Sequence, residues 1–297
     1  MLYNNLSGHL YRKYGERVFK ICLDGGFTCP NRDGSVGVGG CVFCGERGAG
    51  EHLGGGDIAG QVAAYFSRKR KANKFIAYFQ NFTNTYAPPD VLRDRYDAAL
   101  TDDRIVALAV GTRPDCVNAE VADLLAAYAD KRDVWVELGL HTASDETAKR
   151  INRCYDSARF TEAAELLAAR GIGVVAHIII GLPGETRREL EDTVAFLNRH
   201  KLSGLKLHCL YVMEGTALAD SYMRGEYLPQ SLEEYAESAA YVLAHVSPGL
   251  VIHKLTGDCP KHLLLAPDWN VRKDDILAAI NTGLGKYGGR QGCFYRP

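Results

Sequence analysis

Apolar runs of strand length recur along this chain, and stretches with helical spacing fall between them. The strand-like runs are residues 17–23, 75–79, 105–110, 134–138, 173–180, 205–211 and 250–253. Helical patterns occupy residues 57–71, 89–100, 118–129, 160–170, 186–200 and 232–246, with a last one near 274–281. Continuous apolar strands alternating with helices predict a parallel sheet buried under helices. Six or seven such units predict an α/β fold, a partial or full (β/α) TIM-like barrel. A doubly wound sheet remains the alternative, because periodicity does not separate the two. A single domain over residues 1–297 is expected, with a core barrel over about 15–255 and a C-terminal extension over about 256–297.

In barrels the chemistry gathers where strands pass into loops. The segments following the strands are polar or glycine-rich: residues 80–85, 111–115, Glu137 with His141, 181–185 and 214–216. Composition adds little to this picture. With 46% hydrophobic and 24% charged residues the chain is globular, and a net charge of −1 gives no global signal for nucleic acid or membrane. No signal-peptide pattern opens the chain and no run approaches a membrane span, so a cytoplasmic protein is expected. Nine cysteines, an odd count, read in a reducing compartment as metal or redox ligands rather than disulfides.

Three of them, Cys29, Cys41 and Cys44, stand at a C-x11-C-x2-C spacing in a glycine-rich loop after the first strand, with Phe43 before the last. Three thiolates can hold three irons of a four-iron cluster and leave the fourth open for substrate. The competing reading is a structural zinc, with Cys22 or His52 as fourth ligand.

The C-x-aromatic-C loop resembles the radical S-adenosylmethionine (SAM) superfamily, and later segments match it. Cys29-Pro-Asn-Arg-Asp-Gly34, Thr112-Arg-Pro-Asp115 and Leu255-Thr-Gly-Asp258 are similar to the YhcC/YtqA-type group, related to the radical SAM domain of the Elongator catalytic subunit. The resemblance covers nearly the whole chain. It implies a [4Fe-4S] cluster on Cys29, Cys41 and Cys44, and SAM cleaved reductively to a 5′-deoxyadenosyl radical that abstracts hydrogen. An external electron donor such as flavodoxin or ferredoxin is expected with it.

For SAM, the resemblance implies contacts from Gln80, Thr83 and Asn84 in the amine loop, Glu137 and His141 on the ribose-side strand, and Arg153 at the carboxylate. His177 is a candidate ribose contact, Gly181 and Gly184 stand beside the adenine, and Phe43 is expected to pack on it. The chain departs from the superfamily in its long first cysteine spacing, and residues 80–85 replace the usual Gly-Gly-Glu. No acetyltransferase domain is expected.

Elongator relatives act on uridine at the tRNA wobble position, so tRNA is an expected partner. Lys254, Lys261, His262, Arg272, Lys273, Lys286 and Arg290, with Tyr287 and Tyr295, are candidates for an RNA groove. The run at residues 68–71 reads as a solvated helix end. A small metabolite or peptide is the other substrate class, and a non-catalytic zinc protein the rival of another kind.

Overall fold

The computed structural model describes residues 2–48, 50, 53–67 and 72–296. The chain runs α1 (Leu6–Tyr14), β1 (Val18–Leu23), α2 (Ile58–Phe66), β2 (Lys74–Phe79), α3 (Pro89–Ala99), β3 (Ile105–Thr112), α4 (Ala119–Ala129), β4 (Asp133–His141) and α5 (Asp145–Arg150). It continues through α6 (Ser157–Ala168), β5 (Gly173–Ile180), α7 (Arg187–Asn198), β6 (Gly204–Cys209), β7 (Val212–Met213) and α8 (Ala217–Met223). It ends with α9 (Leu232–His245), β8 (Val251–Lys254), β9 (Leu264–Ala266) and α10 (Lys273–Lys286).

Seven strands pair in parallel in the order β1-β2-β3-β4-β5-β6-β8. A doubly wound sheet reverses direction at a switch point. This order never reverses, so the sheet curls into a partial barrel with β1 and β8 at its edges. Helix starts follow local chemistry. Asn5, Asp57, Asn118, Ser144, Asp156, Thr186, Thr216 and Ser231 each accept a hydrogen bond from a backbone N–H of the first helical turn. Thr186 with Glu189 and Ser231 with Glu234 complete capping boxes.

Alternate residues of each strand serve two cores. Phe75, Ala77 and Phe79 of β2 join the large outer core beneath the helices. Ile76 and Tyr78 turn into the barrel with Ala107, Ala109, Trp135 and Val175. Leu10 of α1 packs into this inner cluster, beside Leu6 and Tyr14. Asn5 makes a parallel bridge to Ile252 of β8, and α1 also touches β1. The first helix therefore spans the gap between the edge strands and closes the barrel floor.

Three boundaries differ from the pattern along the chain. Residues 6–14, outside the predicted helices, form α1; Leu6, Leu10 and Tyr14 stand four residues apart and present one apolar face to the barrel floor. The run at 205–211 is cut after Cys209, and β7 pairs antiparallel with β9 in a separate small sheet. The last helix extends to Lys286 through two glycines. A Cβ at Gly283 would stand 3.1 Å from Cβ of Ala240, so glycine there lets α10 lie close on α9 and packing overrides its low helix propensity. Residues 68–71 lie outside the described residues.

Leu10 is 5% exposed and fills the floor. Leu10→Ala is expected to lower stability by about 2–5 kcal/mol through the cavity it leaves, read as a lower urea midpoint with unchanged slope.

Candidate active site

The cysteine loop is held by the segment that follows α5. Asn31, fully buried, donates from Nδ2 to the Asn152 carbonyl at 2.5 Å. Asn152 Nδ2 donates to the carbonyls of Val38 (3.1 Å) and Gly40 (2.8 Å). The Val42 N–H donates to the Ile151 carbonyl at 3.1 Å. From inside the loop, Arg32 donates to the carbonyls of Cys44 (2.9 Å) and Gly45 (2.6 Å). Gly40 has φ +78°, a left-handed conformation that glycine adopts without strain, and a Cβ there would stand 2.9 Å from the Arg32 guanidinium. The loop is thus a shaped backbone cradle, wedged against residues 151–153.

Cys29, Cys41 and Cys44 line one open cavity at the C-terminal ends of the strands, enclosing about 1370 Å³ of non-protein space with its mouth. Phe43 lines it too, edge-on to His141 at 5.4 Å between ring centroids. The Cys44 thiol is pulled below its ordinary value, first by a hydrogen bond from Cys41 and, against burial, by the charges of Arg32 and Arg113. Cys41 is pushed the other way by that same bond and by burial. Cys209 also borders the cavity, but its sulfur is engaged by Asn270 Oδ1 (2.8 Å) and the Gly257 N–H (3.0 Å).

Three cysteines bordering one cavity are a donor set that fits an iron–sulfur cluster, which takes its thiolates on separate irons. Cys22, one candidate fourth zinc ligand, packs against the inner barrel cluster, and His52 lies outside the described residues. Buried polar atoms without partners gather around the same cavity: Thr83 Oγ1, His141 Nδ1, His177 Nε2 and His208 Nε2. Buried polar atoms are normally bonded, so this concentration marks a place shaped for a ligand. His141 itself sits at φ +59°, an uncommon backbone conformation for a residue other than glycine.

Deeper in the barrel the wall is charged. Glu137, 4% exposed, accepts from Tyr78 Oη (2.6 Å), Lys206 Nζ (3.0 Å) and Lys20 Nζ (3.3 Å). Burial would raise its pKa, but the two lysines outweigh burial and hold it well below the usual carboxylate range. Burial pushes His253 below its usual value, so its Nδ1, 3.6 Å from Glu137, makes a dipolar contact with a neutral ring rather than an ion pair. His177 and His208 are likewise pushed down by burial and are neutral. For His141 burial, with Arg153 and Arg113, lowers the pKa to about 3.

Of the residues singled out from sequence, Cys29, Cys41, Cys44, Phe43, Gln80, Thr83, Glu137, His141 and His177 line this cavity. Four do not. Asn84 is buried beside it, donating to the Gly111 carbonyl at 2.7 Å. Arg153, with no exposed surface, donates to the carbonyls of Leu140, Thr142 (2.7 Å) and Tyr155 (3.0 Å). Its guanidinium organises backbone at the end of β4, so a direct contact with a SAM carboxylate does not fit this geometry. Gly181 and Gly184 have φ +91° and +65° and make the turn after β5. A Cβ on either would approach Gln230 (3.4 Å) or Arg150 (3.1 Å) rather than the cavity.

Sequence reasoning missed Lys20, Tyr78, Lys206 and His208, and it assigned Lys254 to an RNA groove although the residue lines this cavity. The alternation Leu205-Lys206-Leu207-His208 carried the signal for two of them, because alternate strand residues share a face. The expected RNA groove is mostly neutralised. Lys254 and Lys273 pair with Asp258, Arg272 with Asp275, and Lys286 with Glu237. Tyr287 donates to Glu237 and joins an aromatic group with Tyr241, His245 and Phe294, which is 51% exposed.

Comparison with known proteins matches residues 29–197 to the radical SAM superfamily profile and residues 202–285 to the radical SAM C-terminal domain. The chain is 40% identical to the uncharacterized protein YtqA of Bacillus subtilis, over 99% of this chain and 93% of that one. It is 38% identical to YhcC of Escherichia coli, over 100% and 96% respectively. A tRNA uridine(34) acetyltransferase of Methanocaldococcus jannaschii is 27% identical over 64% of this chain but only 35% of its own length. Among solved structures, the archaeal Elp3 of Methanocaldococcus infernus superposes with a TM-score of 0.70 at 18% identity, covering 92% of this chain and 64% of that one. That likeness is one of fold.

Glu137→Gln is expected to cost about 3–5 kcal/mol at pH 7, since Lys20 and Lys206 lose their shared counter-charge. The folded pKa of Glu137 lies below its unfolded value, so its contribution is present above the unfolded pKa and fades as pH falls through the folded one. Urea midpoints of wild type and variant are therefore expected to stay apart from pH 7 down to about 4 and to converge only below that.

Proposed function

Since this chain belongs to the radical SAM superfamily, enzymes that use a [4Fe-4S] cluster and SAM, we propose that its barrel cavity holds both and abstracts hydrogen from a substrate admitted to the same space. The observation that carries this reading is the meeting of Cys29, Cys41 and Cys44 with unpartnered, buried Thr83 and His141 on one cavity wall. When bound there, cluster and SAM supply reductive carbon–sulfur cleavage and a 5′-deoxyadenosyl radical.

The protein's own residues set the stage for that chemistry. Cys29, Cys41 and Cys44 hold the cluster, with Arg32 fixing the backbone of the last two ligands. Gln80, Thr83, His141 and His177 offer polar contacts to SAM along the rim, and Phe43 an apolar edge. Neutral His141 and His177 donate or accept hydrogen bonds without adding charge beside the sulfonium. Arg153 serves SAM indirectly, by fixing the turn that carries His141. Gly181 and Gly184 act through the shape of their turn. Asn84 orients the loop after β2 through Gly111. An external donor, flavodoxin or ferredoxin, delivers the electron. Val36 and Val38 on the cysteine loop, 51% and 73% exposed, offer it a docking edge.

A tRNA uridine is the substrate class we favour. The partial likeness to the tRNA uridine(34) acetyltransferase supports it. The paired state of the tail lysines leaves a modest electrostatic footprint, so binding is expected to be weak and salt-sensitive. Residence in the cytoplasm belongs to the same reading, and no helix among the described residues is long and apolar enough to cross a membrane.

Anaerobically purified protein is expected to carry about four irons with sulfide. Reduced in the presence of SAM it should release 5′-deoxyadenosine, and Cys41→Ala should abolish both. One zinc without sulfide would overturn the reading. For the substrate, loss of one tRNA uridine modification in a deletion strain is expected. An unchanged modification profile, with no tRNA binding at low ionic strength, would leave a small metabolite or peptide as the substrate.

A further inference from the structure

Strand register places three of the inner polar residues side by side. His177 of β5 is opposite Lys206 of β6, and Lys206 is opposite Lys254 of β8. His208 lies two residues further along β6, toward the cysteines, and all four line the cavity. An ammonium has three N–H donors and an imidazole at least one when neutral. Lys206 spends two, on Tyr78 Oη at 2.9 Å and Glu137 at 3.0 Å. Lys254 spends one, on Asp258. Nε2 of His177 and Nε2 of His208 are buried without a hydrogen-bond partner, and the two rings touch, their centroids 4.5 Å apart.

The acceptors here are already taken. Glu137 serves Lys20, Lys206 and Tyr78, while Asp258 serves Lys254 and Lys273. Two carboxylates thus answer four lysines, and the wall is rich in unused donors. Burial pushes Lys254 down to about 8, against the pull of Asp258, which is the direction expected of an ammonium with too little counter-charge. The ligand complementary to such a wall is rich in acceptors and negatively charged.

We propose that Lys206, Lys254 and His208, with His177 at the boundary toward SAM, form an oxyanion subsite that grips a phosphate or carboxylate of the substrate. The subsite rests on the reading that substrate shares the cavity with SAM, and it sets a requirement on either substrate class. The part of the molecule that enters the barrel must bring an anionic group, which anchors it below the point where hydrogen is taken.

The test uses the cluster-reconstituted full chain and needs no turnover, so it fails independently of the 5′-deoxyadenosine assay. Thermal shift and calorimetry are run with inorganic phosphate and with malonate, against chloride at matched ionic strength, with and without SAM. Saturable binding of at least one of the two oxyanions is expected, and whichever binds tighter names the group. Lys254→Gln should weaken it about tenfold or more, the loss of one charge-assisted hydrogen bond, while Lys254→Arg should retain most of it. His208→Ala, which leaves every ion pair intact, should weaken binding with little change in melting temperature without anion. The proposal is overturned if neither oxyanion binds saturably, if both Lys254→Gln and His208→Ala bind like wild type, or if SAM displaces the anion competitively.

Discussion

A guanidinium without exposed surface ties the catalytic end of this protein together. Arg153 gathers the carbonyls of Leu140, Thr142 and Tyr155, and so fixes the chain where it leaves β4. Its own carbonyl accepts from Arg113, which is locked by a two-pronged contact to Asp115 at 2.9 and 2.7 Å. The residues immediately before it, Ile151 and Asn152, hold the cysteine loop through Val42, Asn31, Val38 and Gly40. Carbonyls left unbonded in such a place cost about 1–3 kcal/mol each. A planar fork of five donors answers several at once in fixed, spread directions, which the single ammonium of a lysine does not match. The position of three thiols therefore depends on an arginine that faces none of the cavity.

Below that clamp the barrel interior changes character by level. The floor is apolar, with Leu10, Ile76, Ala107 and Trp135. Above it lies the carboxylate of Glu137 with its lysines, then the row of His177, Lys206 and Lys254, and then the cysteines and His141 at the rim. Burying ions is costly unless they are paired, and one carboxylate between two ammoniums with a tyrosine hydroxyl meets that condition closely. The apolar floor and α1 close the barrel below these charges, away from the open rim. Their mutual attraction is strengthened by the low dielectric so produced. The arrangement gives the cavity a fixed field that any substrate must match.

The small β7–β9 sheet and α8 extend the rim beside the cysteine loop. Leu218 donates its N–H to the Val42 carbonyl, and Val42 and Phe43 pack against the cluster formed by Ile151, Leu210 and Val212. The C-terminal segment thus reaches back to the cysteine loop, and the two meet here although they lie far apart in the chain.

The sequence by itself determined the strand and helix alternation, the parallel sheet and the three cysteines, because each is a local signal. Strand alternation and helix caps are written in neighbouring residues, and a C-x2-C pair on a glycine-rich loop needs little context. Tertiary structure alone decided the rest. Arg153 read as a ligand contact from its place in a motif, and only its burial among carbonyls revealed a clamp. Lys20, Tyr78 and Lys206 come from three strands, and no local pattern shows that they meet around Glu137. Whether the sheet stayed open, and that the helix at residues 6–14 would close its floor, followed from which surfaces were left to bury. Those are relations between distant residues, set by register and curvature rather than by spacing along the chain.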